Sequence, residues 1–184
     1  MNGDGTVFKL TPAGTETVLY TFCGRKKCAD GGTPVAALIE DKTSNLYGTT
    51  EFGGVYCEGD GGLGCGTVFR LAPNGTETVL HSFDGNQESP VGSLIADKNG
   101  NLYSTTFYGK SNCNIGCGTV FSLTLGGTET VLHNFIGGSD GGGPLAGLIS
   151  DSAGNVYGTT YEGGGTGCGA LYQSGCGTIF AVKE

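Results

Sequence analysis

An all-β fold is predicted by three observations. Glycine fills 38 of 184 positions and charged residues only 14%, against usual shares of about 7% and about 25%. The apolar residues are not depleted. They fall in short runs of Val, Leu, Ile, Phe and Tyr, each bounded by Gly, Pro, Asn or Asp, and the runs recur in a fixed order. Glycine weakens a helix interior by about 1 kcal/mol relative to alanine, whereas β-branched and aromatic residues suit short strands.

The repeat is anchored on GTVF at Gly5, Gly66 and Gly118 and on GTIF at Gly177, spaced 61, 52 and 59 residues apart. Each copy opens with a strand, GTVFKL, GTVFRL or GTVFSL, and a polar turn, TPAGTE, APNGTE or TLGGTE. A second strand follows: TVLYTF, TVLHSF or TVLHNF. A glycine-rich loop then leads through Pro34, Pro90 or Pro144 to a third strand, AALIED, GSLIAD or GLISD. Asp41, Asp97 and Asp151 stand four residues before Asn45, Asn101 and Asn155. Their side chains bond nearby backbone and tolerate left-handed conformations, as tight turns require. The fourth strand is NLYGTT, NLYSTT or NVYGTT.

Four short strands joined largely as a meander are the unit of a β-propeller. The prediction is a β-propeller-like repeat of four-stranded antiparallel blades. It is one repeat domain over residues 1–184, with units at approximately 5–65, 66–117 and 118–176 and an extra strand at 177–182. Length varies only in loops, as on the surface of a repeat array.

Three units are too few to close as propellers of four to eight blades do, and open strand edges invite pairing. The strands at the two ends, with Gly5, Val7 and Phe8 and with Gly177, Ile179 and Phe180, are therefore candidate assembly strands. Three routes satisfy them: an excerpt of a longer propeller, two chains in a six-bladed ring, or a surplus strand added to the next subunit in a filament. Assembly is favoured, so the expected partner is another copy, as a homo-oligomer or polymer.

Eight cysteines fall in four close pairs: Cys23 with Cys28, Cys57 with Cys65, Cys113 with Cys117, and Cys168 with Cys176. An even count in local pairs reads as disulfides formed in an oxidising compartment. Zinc is disfavoured, because no C-x₂-C knuckle occurs and no histidine lies nearby. An extracellular or cell-surface location is expected. No apolar run is long enough to span a membrane and no signal peptide is seen, so the sequence is expected to be a mature or excised form.

A net charge of −8 argues against nucleic acid, which requires a basic stripe. The cluster Arg25, Lys26 and Lys27 reads as a solvated loop tip. His81 and His133 occupy the position of Tyr20 in successive units and read as an aromatic slot rather than as bases. Glu16, Glu77 and Glu129 read as solvent-facing turn residues, not a glycosidase pair. The oxygen-rich runs NGDG and EGDGG lack the EF-hand pattern. No cofactor is expected, calcium being the one metal such runs would suit. The glycine loops lead into strands, not into the helix that a phosphate site needs, and no G-x-S-x-G elbow occurs. An enzyme is not expected. Asn74 begins an Asn-Gly-Thr sequon in a hairpin turn. The loop aromatics Phe52, Tyr56, Phe107, Tyr108, Tyr161 and Tyr172 suit either stacking on sugar rings or packing against a neighbouring subunit.

The order GTVFKLTPAGTETVLYTF, DGGTPVAALI, NLYGTT, GTVF closely resembles the GloVer tandem repeats over nearly the whole chain. That resemblance implies a bacterial secreted or surface protein with a propeller-like repeat, and it carries over no catalytic residue. The cysteine pairs depart from the family pattern. The expected function is an extracellular structural or adhesive repeat protein that self-assembles through open β-edges, by strand donation into a filament. The alternative is a carbohydrate- or surface-binding propeller module.

Overall fold

In the computed structural model, which describes residues 5–54, 65–84, 88–109, 117–165 and 175–183, every regular element longer than a single 3₁₀ turn is a strand. The first unit gives β1 (Thr6–Leu10), β2 (Glu16–Thr21), β3 (Ile39–Glu40) and β4 (Leu46–Thr50). The second gives β5 (Thr67–Leu71), β6 (Glu77–Ser82), β7 (Ile95–Ala96) and β8 (Leu102–Thr106). The third gives β9 (Thr119–Leu123), β10 (Glu129–Asn134), β11 (Ile149–Ser150) and β12 (Asn155–Thr159), and β13 (Ile179–Lys183) follows.

All pairing within the sheets is antiparallel. The sheets are β1–β2, β3–β4–β5–β6, β7–β8–β9–β10 and β11–β12–β13, here called sheets I to IV. They are out of phase with the sequence units by half a repeat. The third and fourth strands of one unit pair with the first and second of the next, so the boundaries at 65/66 and 117/118 fall inside sheets II and III. A blade is therefore not one unit, and β13 is no isolated surplus strand, since it pairs with β12 from Thr159↔Ile179 to Asn155↔Lys183.

The repeated phrases explain this phase. Where NLYGTT meets the next GTVF, Thr50 Oγ1 and Thr67 Oγ1 lie 2.8 Å apart. Thr106 with Thr119 and Thr160 with Thr178 repeat the contact at the same distance. The first threonine of each pair also donates to a carbonyl two residues on, at Phe52, Tyr108 or Glu162. The hydroxyls are thus satisfied in a buried place, where an unpaired one costs about 1–3 kcal/mol. The glycine of GTVF is required here. Gly66 has φ +92°, and a Cβ on it would stand 2.3 Å from the Thr50 carbonyl oxygen; Gly118 and Gly177 meet Thr106 and Thr160 in the same way.

The hairpins β1–β2, β5–β6 and β9–β10 each carry a β-bulge. One extra residue on the second strand, Leu19, Leu80 or Leu132, goes unpaired and packs toward an inter-sheet core. A bulge re-aims side chains in this way. It turns the plain alternation of TVLY and TVLH into a strand that feeds both its hairpin and the next sheet.

Three apolar cores lie between successive sheets. Val7 and Phe22 of the first repeat meet Phe69 and Leu71. Tyr47, Val68 and Phe83 meet Leu94, Leu102, Phe121 and Leu123. Tyr103, Val120 and Phe135 meet Leu148 and Val156, with Phe180 alongside. Each interface is pinned by one edge-to-face pair with centroids 4.9–5.3 Å apart: Phe22–Phe69, Phe83–Phe121 and Phe135–Phe180. Such pairs add about 0.5–1.5 kcal/mol beyond their buried area.

Candidate functional site: the open ends of the sheet array

The repeat builds the same interface three times and leaves it unfinished at both ends. At the sheet I end, Phe8, Leu10 and Val18 are exposed, Phe8 to 56%. Their counterparts Phe69 and Leu71 are buried. At the sheet IV end, Ile179 is 85% and Ile149 70% exposed, although the equivalent Val68 and Val120 are fully buried and Ile95 packs on a core. Exposed apolar side chains are unremarkable singly but informative when grouped. Here Phe8, Leu10 and Ile179 each have buried twins in the same chain, so both ends expose positions that the repeat elsewhere buries.

The sheets at the ends hold fewer strands. Among the described residues sheet I has the two strands of one hairpin and sheet IV has three, against four in sheets II and III. Beside β1 a groove of about 460 Å³ is lined by Phe8, Leu19, Leu38, Leu46 and Leu71, among others. Leu38 is open there, whereas its counterparts Leu94 and Leu148 are buried. Thr6 is exposed, unlike its buried counterparts Thr67 and Thr119, each of which contacts a threonine of the strand beside it. Of the candidate assembly residues, Gly5 begins the exposed strand, Val7 is buried against sheet II, and Gly177 and Phe180 lie in or beside β13.

Away from the ends the side chains do structural work. Asp41 Oδ1 accepts from the Thr43 and Asn45 amides, while Oδ2 accepts from Asn45 Nδ2 at 2.8 Å and Tyr47 Oη at 2.9 Å. Asp151 makes the same set with Ala153, Asn155 and Tyr157, and Asp97 makes the amide set with Asn99 and Asn101. Donors aimed at the ionised form, the Asn45 and Asn155 side chains foremost, hold Asp41 and Asp151 well below the usual carboxylate range. At Asp97 burial opposes this, but the Asn101 and backbone donors win and the pKa is again lowered.

The loop after β2 is organised by buried Asp30, which accepts from Tyr20 Oη at 2.9 Å and from the Gly24 and Arg25 amides. Cys23 and Cys28 are disulfide-bonded across it. The loop sends Arg25 to sheet II, where Nη2 stands 2.9 Å from Glu77 Oε2 and donates to the Glu77 carbonyl at 3.2 Å. Glu77 is therefore not the solvent-facing turn residue that its sequence position suggests; it is buried between sheets. Burial pushes its pKa up to about 7, with Arg25 pulling down and Asp30 pushing up. His133 pairs with Asp140 at 3.0 Å and stacks edge-on with Phe135, as Tyr20 does with Asp30 and Phe22. His81 stacks on Phe83 and faces Glu129 at 3.5 Å. In every unit the slot side chain stacks edge-on against the phenylalanine ring two residues on.

No free cysteine is found among the described residues, and Cys65, Cys117 and Cys176 are each disulfide-bonded. Cys57, Cys113, Cys168, Tyr56 and Tyr172 lie outside the described residues. Phe107 and Tyr108 pair edge-to-face at 4.7 Å, Phe52 is half-buried and Tyr161 is exposed. Phe52, Phe107 and Tyr161 sit in successive units. Asn74 is exposed in its turn and accepts from the Thr76 amide. Among the described residues no three His, Cys, Asp or Glu side chains converge as metal ligands would, and no helix is long and apolar enough to cross a membrane.

Stacked antiparallel sheets joined by a repeated interface define a β-propeller-like repeat protein. The chain belongs to the Gloeobacter/Verrucomicrobia repeat family, which matches residues 1–172. No curated protein matches it. Among solved structures it is similar to the X-ray structure of a protein provisionally assigned as a gluconolactonase, with TM-score 0.51 and 19% identity. That alignment covers 88% of this chain and 52% of the other. The likeness is one of fold, and this chain spans about half of that protein's length.

Proposed function

We propose that this chain is an extracellular structural or adhesive repeat module that works by associating through the open ends of its sheet array. The observation that carries this reading is the contrast between exposed Phe8, Leu10 and Ile179 and the buried residues at the same repeat positions. Burying a large apolar side chain contributes about 1.5–3 kcal/mol, so ends of this composition favour contact with a matching surface. Strand addition at such edges gives a filament when the rotation does not close and a ring when it does. The Cys23–Cys28 disulfide supports an oxidising, extracellular setting, and the low charge and high glycine content suit an inert material. The reading assigns the chain no catalytic turnover.

Light scattering on the purified, unreduced chain tests this. Masses above the 18.6 kDa of one chain are expected at micromolar concentration, and a single-chain mass up to millimolar concentration would overturn the reading.

A second reading, a carbohydrate- or surface-binding module, rests on exposed Tyr161 in the loop equivalent to those of Phe52 and Phe107. Glycan binding that is lost in Tyr161→Ala would favour it.

A further inference from the structure

We propose that two copies of this chain join head to tail into a closed six-bladed ring, in which the β1–β2 hairpin of each copy completes the β11–β12 sheet of the other. This rests on the association reading above and specifies its geometry. In each copy β13 then gives up its place to the partner's β1.

Strand count carries the first part of the argument. A complete sheet takes its third and fourth unit strands first and the next unit's first and second strands after them, as in β3–β4–β5–β6. Sheet I holds only the second half of that set, and sheet IV holds the first half plus β13. Placed side by side, β11–β12 and a partner's β1–β2 make one complete blade, with nothing missing and only β13 left over. Each copy then supplies three blades, and two copies supply six, within the four to eight that close a propeller.

Register carries the second part. β13 occupies on β12 the position that β5 occupies on β4: Gly158 faces Phe180 as Gly48 faces Phe69. β1 carries the same GT-x-F pattern as β5 and β13. In β13's place it would set Phe8 opposite Gly158 and bring Thr6 to Thr160, which Thr178 now contacts at 2.8 Å. Gly48 and Gly158 leave room for these rings, since a Cβ there would meet Phe69 at 2.8 Å and Phe180 at 2.4 Å.

Burial carries the third. The shared blade would cover Phe8 against the Phe135 side of one copy. It would also cover Ile149 with Leu38 and Leu46 of the other copy, filling the groove beside β1. β13 alone leaves Ile149 and Ile179 exposed and brings no second strand. It is a stand-in that holds the edge until a hairpin arrives, an exchange of equivalent elements between protomers.

The test compares the 184-residue chain, a variant ending at residue 176, and Phe8→Asp, by sedimentation velocity without reductant. Phe8 is exposed in the single chain, so Phe8→Asp should melt as the parent does at concentrations where the parent is monomeric. The ring predicts a monomer–dimer equilibrium for the parent, with no larger species. It predicts dimerisation at least tenfold tighter without β13, and none in Phe8→Asp. Dimers that persist in Phe8→Asp, or that weaken on removing β13, overturn the shared blade. An open series of larger polymers overturns closure while leaving self-association intact. Single chains throughout, in all three proteins, overturn both.

Discussion

Phe8 and Phe69 are the same residue of the repeat in two situations. Phe69 is fully buried, its ring 4.9 Å from that of Phe22, whereas Phe8 is 56% exposed and meets no preceding sheet among the described residues. One side chain therefore reports on whether its interface is built. Substituting each by alanine separates interior from end. Phe69→Ala should cost about 3–5 kcal/mol, as large aromatic deletions in cores do. Phe8→Ala should cost less than about 1 kcal/mol in the single chain. Urea denaturation of both variants, at concentrations where the chain is monomeric, is the check.

The threonine pairs give a second expectation. Thr50→Val keeps the shape but removes the hydroxyl that Thr67 contacts and that donates to the Phe52 carbonyl. It strands the Thr67 hydroxyl and amide and should cost about 1–3 kcal/mol. Thr50→Val with Thr67→Val together should cost less than the sum of the single changes. A double-mutant cycle on thermal unfolding measures the difference.

Gly66→Ala should be among the most damaging small substitutions. It combines a positive φ with a Cβ 2.3 Å from the Thr50 carbonyl oxygen. Gly14→Ala, also at positive φ but with open space around it, isolates the backbone cost of about 1 kcal/mol. The gap between the two melting temperatures reads the steric part alone.

Glu77 sets a pH dependence. Its folded pKa, about 7, lies above the ordinary 4.5, so the folded chain holds this proton more tightly than the unfolded one. The stability it contributes is complete below pH 4.5 and is lost as pH rises through 7. Asp41, Asp97 and Asp151 act in the opposite sense: their folded values are lowered, so their contribution is present above pH 3.8 and falls away in more acid solution. Chemical denaturation across pH 3 to 9 should therefore show highest stability near pH 4–5 from these groups. The decline toward pH 8 should flatten in Glu77→Gln, and a decline of unchanged size would remove Glu77 as its cause.

The strands and turns were legible in the sequence because each segment repeats with its own punctuation. GTVF, the Asp-x-x-x-Asn turn and NLYGTT all map onto elements with a local physical cause. The pairing phase was not legible. Nothing in the order of four segments says whether NLYGTT pairs back within its unit or onward into the next, and the structure pairs it onward, with Thr50 meeting Thr67 and 16 residues between them in sequence. Glu77 escaped sequence reasoning for a related reason. It follows a polar turn like Glu16 and Glu129, and only Arg25, reaching over from the disulfide-bonded loop of the previous unit, shows that it lies in an inter-sheet seam. The end strands stood out in the sequence, but the contrast of Phe8 and Ile179 with their buried twins requires the packing.

The most direct measurement is negative-stain electron microscopy of the unreduced protein at micromolar concentration. The account predicts particles built from more than one chain, with two-copy rings dominating the class averages. A field of single-chain particles would contradict the claim that the open ends of the array are its working surface.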